Sequence, residues 1–464
     1  MPVSSGVAKL RTHCSKQRRG AIIGLGGACL LVAAGAVSIP RVLGGFSSAV
    51  SNSGDSLQTG SVQLTATSSG QTECNQGTSG TPISSTDTAM CTGTLLPTGD
   101  LPSSGSVSLS TTVTNQGSLP AVSASVVGGT CGAVDLADQS TSSDPMLVRN
   151  VASFAQPGPI SGSASIGMTG TNSYAADIAD MAGPSNSSFT IAIAFKTAST
   201  NGGTMIGFAN TPTTSSVSNW DKMIWLDNSG HVVFGVWNGS TNEVRSDSAY
   251  NNNAWHLAVA SMSTSNGLSL SVDGRSPQTN TNATSSQAYN GYWHVGWDNE
   301  INGWSNAPSD AYFNGYLADA AVFPSALSGT QISNLAGASS LSSWESALTS
   351  DGANYSWSLA DTGTGVYTGA LPGVSAPACD FADVTVGSSA TETLATLATT
   401  PSALALPNPS YNYGFSVSPD STYNSSNYPY ASGLNLSLPL TIDVGGGGAF
   451  NAGLEWPSED VIVP

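Results

Sequence analysis

Apolar and polar residues alternate with period two along most of this chain, and that period predicts strands, not helices. In the N-terminal third, Ser61–Thr67 and Ser106–Thr114 alternate apolar residues with Ser and Thr, the pattern of strands with one wet face. In the middle third, Ser188–Thr197 alternates cleanly and Thr204–Phe208 follows a Gly-Gly turn. Met223–Leu226 and His231–Trp237 flank Asp227-Asn-Ser-Gly230, a hairpin signal. Ala254–Met262, Leu268–Val272 with Asp273-Gly274 behind it, Tyr292–Trp297 and Phe313–Phe323 continue the series. Toward the C-terminus, Cys379–Val386, Tyr413–Val417 and Leu434–Val444 lie between turns rich in Pro and Asn. The expected fold class is all-β.

Length and composition divide this pattern into parts. A chain of 464 residues has room for two or three cores. Seven of the ten tryptophans lie between 151 and 340, so that stretch is expected to be one compact domain. The expected division is 1–50 as an export segment, 51–150 and 341–464 as parts of a β-sandwich, and 151–340 as the middle domain. The flanks share composition and each carries cysteine, which suggests that the middle domain is inserted into a loop of one flanking sandwich; a tandem arrangement is the alternative.

Charge separates the first fifty residues from the rest. They hold six of the eleven Lys and Arg (Lys9, Arg11, Lys16, Arg18, Arg19, Arg41) and no acid, which leaves 5 bases against 29 acids, a net charge of 5 − 29 = −24. Such a body repels phosphate backbones and anionic lipid heads, so nucleic acid is excluded as a partner and the membrane is expected only at the N-terminal segment. After Arg19 the uncharged run Ala21–Ile39 is long enough to cross a bilayer, and the bases before it orient the body outside the cytoplasm. It reads as a signal peptide cut near Ser47 or Ala49, or as a retained anchor. In an oxidising compartment the cysteines outside the leader, Cys74, Cys91, Cys131 and Cys379, read as two disulfides with three possible connectivities. Cys74–Cys91 with Cys131–Cys379 is the expected pairing.

The middle segments, in order, resemble a laminin-G-like domain of the concanavalin A-like type. The residues concerned are Trp255-His256 on an alternating strand, Leu270-Ser-Val-Asp273-Gly274, Val295-Gly296, and Phe313-Asn-Gly315-Tyr-Leu-Ala-Asp319 followed by Val322-Phe323 and Ala326-Leu327-Ser328. The resemblance implies a jelly-roll sandwich of two antiparallel sheets. Trp255, Phe313 and Val322 are then expected in the core, Asp273-Gly274 in a turn of positive φ, and His256 in a packing or hydrogen-bonding role. The flanks more loosely resemble secreted surface proteins of the TasA and camelysin group, with Asn115–Ser118 at the place of their Asn-Gly-Ser turn.

Candidate chemistry concentrates between Trp297 and Tyr312. Sugars offer C–H faces to aromatic rings and hydroxyls to carboxylates and amides, so Trp297, Asp298, Glu300, Asn302, Trp304 and Tyr312 are candidate ligand-binding residues. The same oxygen-rich loop could hold calcium through Asp298 and Asp310. The alternative is a solvated loop whose tryptophans cover the sheet edge. Asp298 and Glu300 stand two apart, but Asn302-Gly303 follow where a third acid of a jelly-roll glycosidase strand would fall. There is no Gly-x-Ser-x-Gly elbow, no His-Glu-x-x-His and no phosphate-binding loop. The reading is therefore an exported binding or adhesion protein without catalytic residues, taking a glycan or a matrix or surface protein. A self-assembling structural subunit is the alternative, with a glycoside hydrolase behind it.

Overall fold

The computed structural model describes residues 132–363 except 151–152, 185–186 and 300–302, together with Cys91, 433–437 and flanking strands named below. The protein is all-β, with two short helices among the described residues. Residues 146–357 supply fifteen strands used here: β1 (Met146–Arg149), β2 (Ser153–Pro157), β3 (Ala164–Thr169), β4 (Tyr174–Asp177), β5 (Phe189–Lys196), β6 (Gly203–Ala209), β7 (Trp220–Leu226), β8 (His231–Trp237), β9 (Thr241–Ala249), β10 (Trp255–Ser263), β11 (Gly267–Val272), β12 (Gln278–Asn280), β13 (Asn290–Val295), β14 (Asn314–Phe323) and β15 (Tyr355–Trp357). The front sheet runs β9-β8-β7-β6-β13-β4-β1. The back sheet runs β2-β3-β14-β5-β10-β11-β12, with β15 added to β14. Every pairing named in these two sheets is antiparallel.

Alternation on the strands builds the layers. On β5, Phe189, Ile191, Ile193 and Phe195 enter the core between the sheets, where they meet Phe208, Phe234, Trp293 and Phe313. Each such side chain contributes about 1.5–3 kcal/mol by leaving water. Ala192, on the opposite face of β5, joins Val259, Ala321 and Phe323 in a second apolar layer. That layer is covered by helices α1 (Gly329–Ala336) and α2 (Leu341–Asp351), through Ile332 and Leu335 of the first and Trp344 and Leu348 of the second. Because α1 and α2 shield it, β5 is buried on both faces.

Local chemistry sets the ends of these elements. Ser328 caps α1 in a reciprocal capping box with Gln331, and α2 stops at Gly352 in the left-handed conformation. Between β7 and β8, Asp227 Oδ1 accepts the N–H groups of Ser229 and His231, and Gly230 turns at φ 83°. Asp273 and Gly274 have φ of 54° and 66°, with Arg275 N–H donating to the Val272 carbonyl, so this dipeptide forms the expected turn of positive φ.

Several expectations need correction. The core includes Val134, Leu136, Met146 and Val148 before residue 151, and Trp357 and Leu359 after residue 340, so the boundaries 151 and 340 are too narrow. The first residues assigned to the C-terminal part of the flanking sandwich, Leu341–Asp351, form helix α2 instead. Phe313 and Val322 are core residues, but Trp255 is only half buried, at the rim of a cavity described below.

Strands from before and after the jelly roll pair with one another. Val107–Asn115 pairs with Ser410–Pro419 over eight residue pairs, and Ala121–Gly128 pairs with Leu440–Gly446 over seven. Gly132–Leu136 pairs with β1 and with Val366–Tyr367. Cys91 is buried and disulfide-bonded. Cys131 and Cys379 lie outside the described residues, as does the Cys74 side chain, and so does the export segment 21–39. Among the described residues no helix is long and apolar enough to cross a membrane.

Candidate functional site

The connection from β13 to β14 lies across the outer face of the front sheet. Gly296 leaves β13 at φ 89°, and its carbonyl accepts the Phe313 N–H where the connection returns. Along the way Thr204 N–H donates to the Ala311 carbonyl, Trp225 Nε1 donates to the Asn306 carbonyl at 2.7 Å, and Ser309 N–H donates to Asn228 Oδ1 at 2.8 Å. Glu243, on β9, grips the same loop: its two carboxylate oxygens accept Ser305 N–H and Asn306 Nδ2, each at 2.6 Å.

Anchoring on this scale turns the loop's aromatic residues inward. Trp304, 7% exposed, meets Trp225 edge to face at a ring distance of 5.5 Å, above Gly235, where a side chain would collide with both rings. Trp297, 4% exposed, packs among Tyr174, His294 and Tyr312 at 5.4, 5.5 and 6.0 Å. Neither indole presents a free face for a sugar, and both act as cover for the sheet. Tyr312 is half buried, and burial foremost pushes its hydroxyl up to about 12.

The carboxylates of the loop are also engaged or enclosed. Asp298 is fully buried over Gly207; its Oδ1 accepts the Asn299 N–H and lies 3.8 Å from His294 Nδ1, while Oδ2 has no partner. Asp310 accepts the Tyr312 N–H at 3.0 Å and so closes a local turn. Among the described residues no three of His, Cys, Asp or Glu converge as a metal-holding group. Glu300 and Asn302 lie outside the described residues.

An open aromatic surface does exist near one end of this sheet. Trp237, at the end of β8, is 38% exposed, the exposed large apolar side chain among the described residues. Period two places it on the same outward side as Val233 and Gly235. Directly opposite it on β9 stands Thr241, while Asn242, whose Nδ2 donates to Asn238 Oδ1 and to the Ser240 carbonyl, pairs with Val236 and belongs to the other face. Trp220 is half buried against Met223, Trp225, Val233 and Trp304.

Behind Trp237 is a buried polar network that the sequence pattern had not singled out. Asp221 Oδ2 accepts the N–H groups of Trp237 and Gln287, and its Oδ1 accepts from Lys222 Nζ and the Tyr289 hydroxyl. Lys222 sits at φ 58° with its ammonium over the rings of Phe208 and Tyr289 and donates to the Gln287 carbonyl. Burial lowers the Lys222 pKa and raises that of Asp221, each opposed by the other's charge. The available signal was a lone Asp-Lys pair inside the apolar run Trp220–Leu226. The network fixes the strand end that carries Trp237.

Residues 169–333, over a third of the chain, match the family model Laminin_G_3, described as the concanavalin A-like lectin/glucanases superfamily. Among solved structures, the native heptameric SAP-like pentraxin from Limulus polyphemus is 18% identical, over 41% of this chain and 82% of that one, with a TM-score of 0.28. The binding domain of Paraclostridial Mosquitocidal Protein 1 is 14% identical, over 44% and 52%, with a TM-score of 0.32. Domains LG4-5 of the mouse laminin alpha1 chain are 22% identical, over 34% and 41%, with a TM-score of 0.27. The match spans most of the pentraxin but about half or less of the other two chains. No curated protein matches the sequence.

Proposed function

We propose that this is an exported surface protein that binds a glycan through the outer face of its front sheet, with Trp237 as the stacking platform. The observation that carries the reading is the exposed indole of Trp237 on the outward face, with Thr241 directly opposite it on β9, within a segment that matches a lectin and glucanase superfamily. An indole face and the hydroxyl of Thr241 supply the two contacts a sugar needs, one for its C–H face and one for its hydroxyls. Export is supported by the basic N-terminus and the apolar run Ala21–Ile39.

The reading is of a binder and not a hydrolase. Asp221, bonded to the Trp237 N–H, is fully buried, and both oxygens of Glu243 hold the loop, so neither is free to protonate or attack a glycosidic bond. The test is a glycan array probed with the full chain, with and without calcium, beside a Trp237→Ala variant. Saturable binding that falls at least tenfold in the variant, with unchanged circular dichroism, is expected. Binding that survives the substitution moves the site elsewhere, and a blank array at high protein concentration sinks the glycan reading in favour of a structural subunit.

A further inference from the structure

A cavity lies on the opposite side of the jelly roll from Trp237, between the outer face of the back sheet and the helices. It has a volume of about 220 Å³. Ala194 lies in its sheet wall, Trp255 and Asp273 are its more exposed members, and Trp344 and Leu335 contribute from the helices. Asp319 also lines it and is 2% exposed.

Asp319 is unusual in three independent ways. It sits at a β-bulge: opposite the step from Ala192 to Ala194 on β5, β14 takes three residues, from Ala321 to Ala318. It has φ 52°, a left-handed backbone that a non-glycine residue avoids unless its surroundings impose it. Its Oδ1 is buried and has no hydrogen-bond partner. A bulge re-aims a side chain, and here it holds a carboxyl group against a cavity with one oxygen unmatched.

The other polar groups of the cavity are matched. His256 Nδ1 faces Asp273 Oδ2 at 2.8 Å and its Nε2 faces Asn252 Oδ1 at 2.9 Å, while Asp273 Oδ1 accepts the Leu257 N–H. No Lys or Arg is among the described residues lining the cavity, and Glu345 on α2 adds negative charge near Asp319. Burial foremost, then Glu345, pushes the Asp319 carboxyl up to about 7. What Asp319 lacks is a donor, and the two indoles suit one that carries positive charge.

We infer that this cavity binds a primary ammonium group, which pairs with Asp319 while the carbons that carry it pack against Trp255 and Trp344. The inference is independent of the glycan reading, which concerns the other sheet. An ammonium group can arrive on a lysine or on an amino sugar, and the two sources share the chemistry that Asp319 recognises.

The test is calorimetric titration of the full chain at pH 8 with n-butylammonium, with n-butanol as the neutral isostere. Butylammonium is expected to bind at least tenfold more tightly than butanol, and Asp319→Asn to remove that preference. Saturating butylammonium should also lower the Asp319 pKa by a unit or more, read from its carboxyl carbon resonance, a shift that a purely structural carboxyl would not show. If Asp319→Asn fails to fold, Trp255→Leu, at the half-buried rim, must weaken the ammonium by severalfold. Competition by L-lysine or by glucosamine against the bound probe then identifies the source. Equal affinity for the amine and the alcohol, full affinity in Asp319→Asn, or no heat with butylammonium at 100 mM would each overturn the inference.

Discussion

Asp319 is a carboxyl group that the folded chain prefers to keep protonated, and this gives stability a definite pH dependence. Its pKa is about 7 in the fold against 3.8 for an ordinary aspartate, so between those values the native state holds more protons than the unfolded one. Stability contributed by this group is therefore present below about pH 4 and is lost as pH rises toward 7. Asp144, raised to about 6 with burial as the foremost cause, acts in the same direction. The guanidinium midpoint of the wild type is expected to fall from pH 4 to pH 8 by more than that of Asp319→Asn, the difference amounting to at most about 4 kcal/mol. Parallel pH profiles would show that Asp319 ionises freely. Gly207 makes a second point at this scale, since a Cβ there would lie 2.0 Å from Asp298 Oδ2 and 3.0 Å from Asp298 Cβ. Gly207→Ala should lift the loop at Asp298 and cost about 1–3 kcal/mol. Tryptophan emission should shift to the red as Trp297 is uncovered, and an unshifted spectrum with an unchanged midpoint would refute this. Asp273-Gly274 was legible in the sequence because a turn of positive φ is written in two adjacent residues. Asp319 was not, because its role depends on which residues of β5 stand opposite it.

Strands were legible wherever one face met the core and the other met water or a second layer of small residues. β5, β8 and β10 lie close to where alternation put them. The loop from β13 to β14 was legible as a cluster of aromatic and acidic residues, but its direction was not. Trp297 and Trp304 look inward because Gly207 and Gly235, distant in sequence, leave room for Asp298 and the Trp304 ring. Helix α2 escaped notice because only Trp344 and Leu348 are buried in a Ser-rich segment, too few to write a helical period. Turn chemistry at this scale is testable. Gly230, at φ 83°, has Asn251 Oδ1 only 2.1 Å from where a Cβ would stand. Gly230→Ala should destabilise the β7–β8 hairpin by about 1 kcal/mol or more, read as faster amide exchange at Asp227, whose N–H donates to the His231 carbonyl across the hairpin. Ser328→Ala removes the cap of α1 and should cost about 1 kcal/mol, visible as selective loss of exchange protection in that helix.

At the scale of the whole molecule, the chain leaves one set of sheets, builds the jelly roll, and returns to pair with the strands it left. Val107–Asn115 depends on Ser410–Pro419, nearly three hundred residues later, for its ladder. Removing 401–464 should therefore expose a strand edge and drive the chain into oligomers on size exclusion. A monomeric truncated protein would show that the N-terminal flank completes itself. This cross-pairing was only half legible, since shared composition hinted at it but no local pattern encodes which distant strands meet.

The cross-pairing has a mechanical consequence. Gly132–Leu136 and Val366–Tyr367, the strands by which the chain enters and leaves the jelly roll, lie side by side through two residue pairs, Val134 with Val366 and Ala133 with Tyr367. Tension applied at the two ends of the chain would run through the eight-pair and seven-pair ladders of the flanks before it reached the jelly roll. The jelly roll would hang beside the load path like a branch beside a rope, and its surfaces would keep their shape while the molecule was under strain.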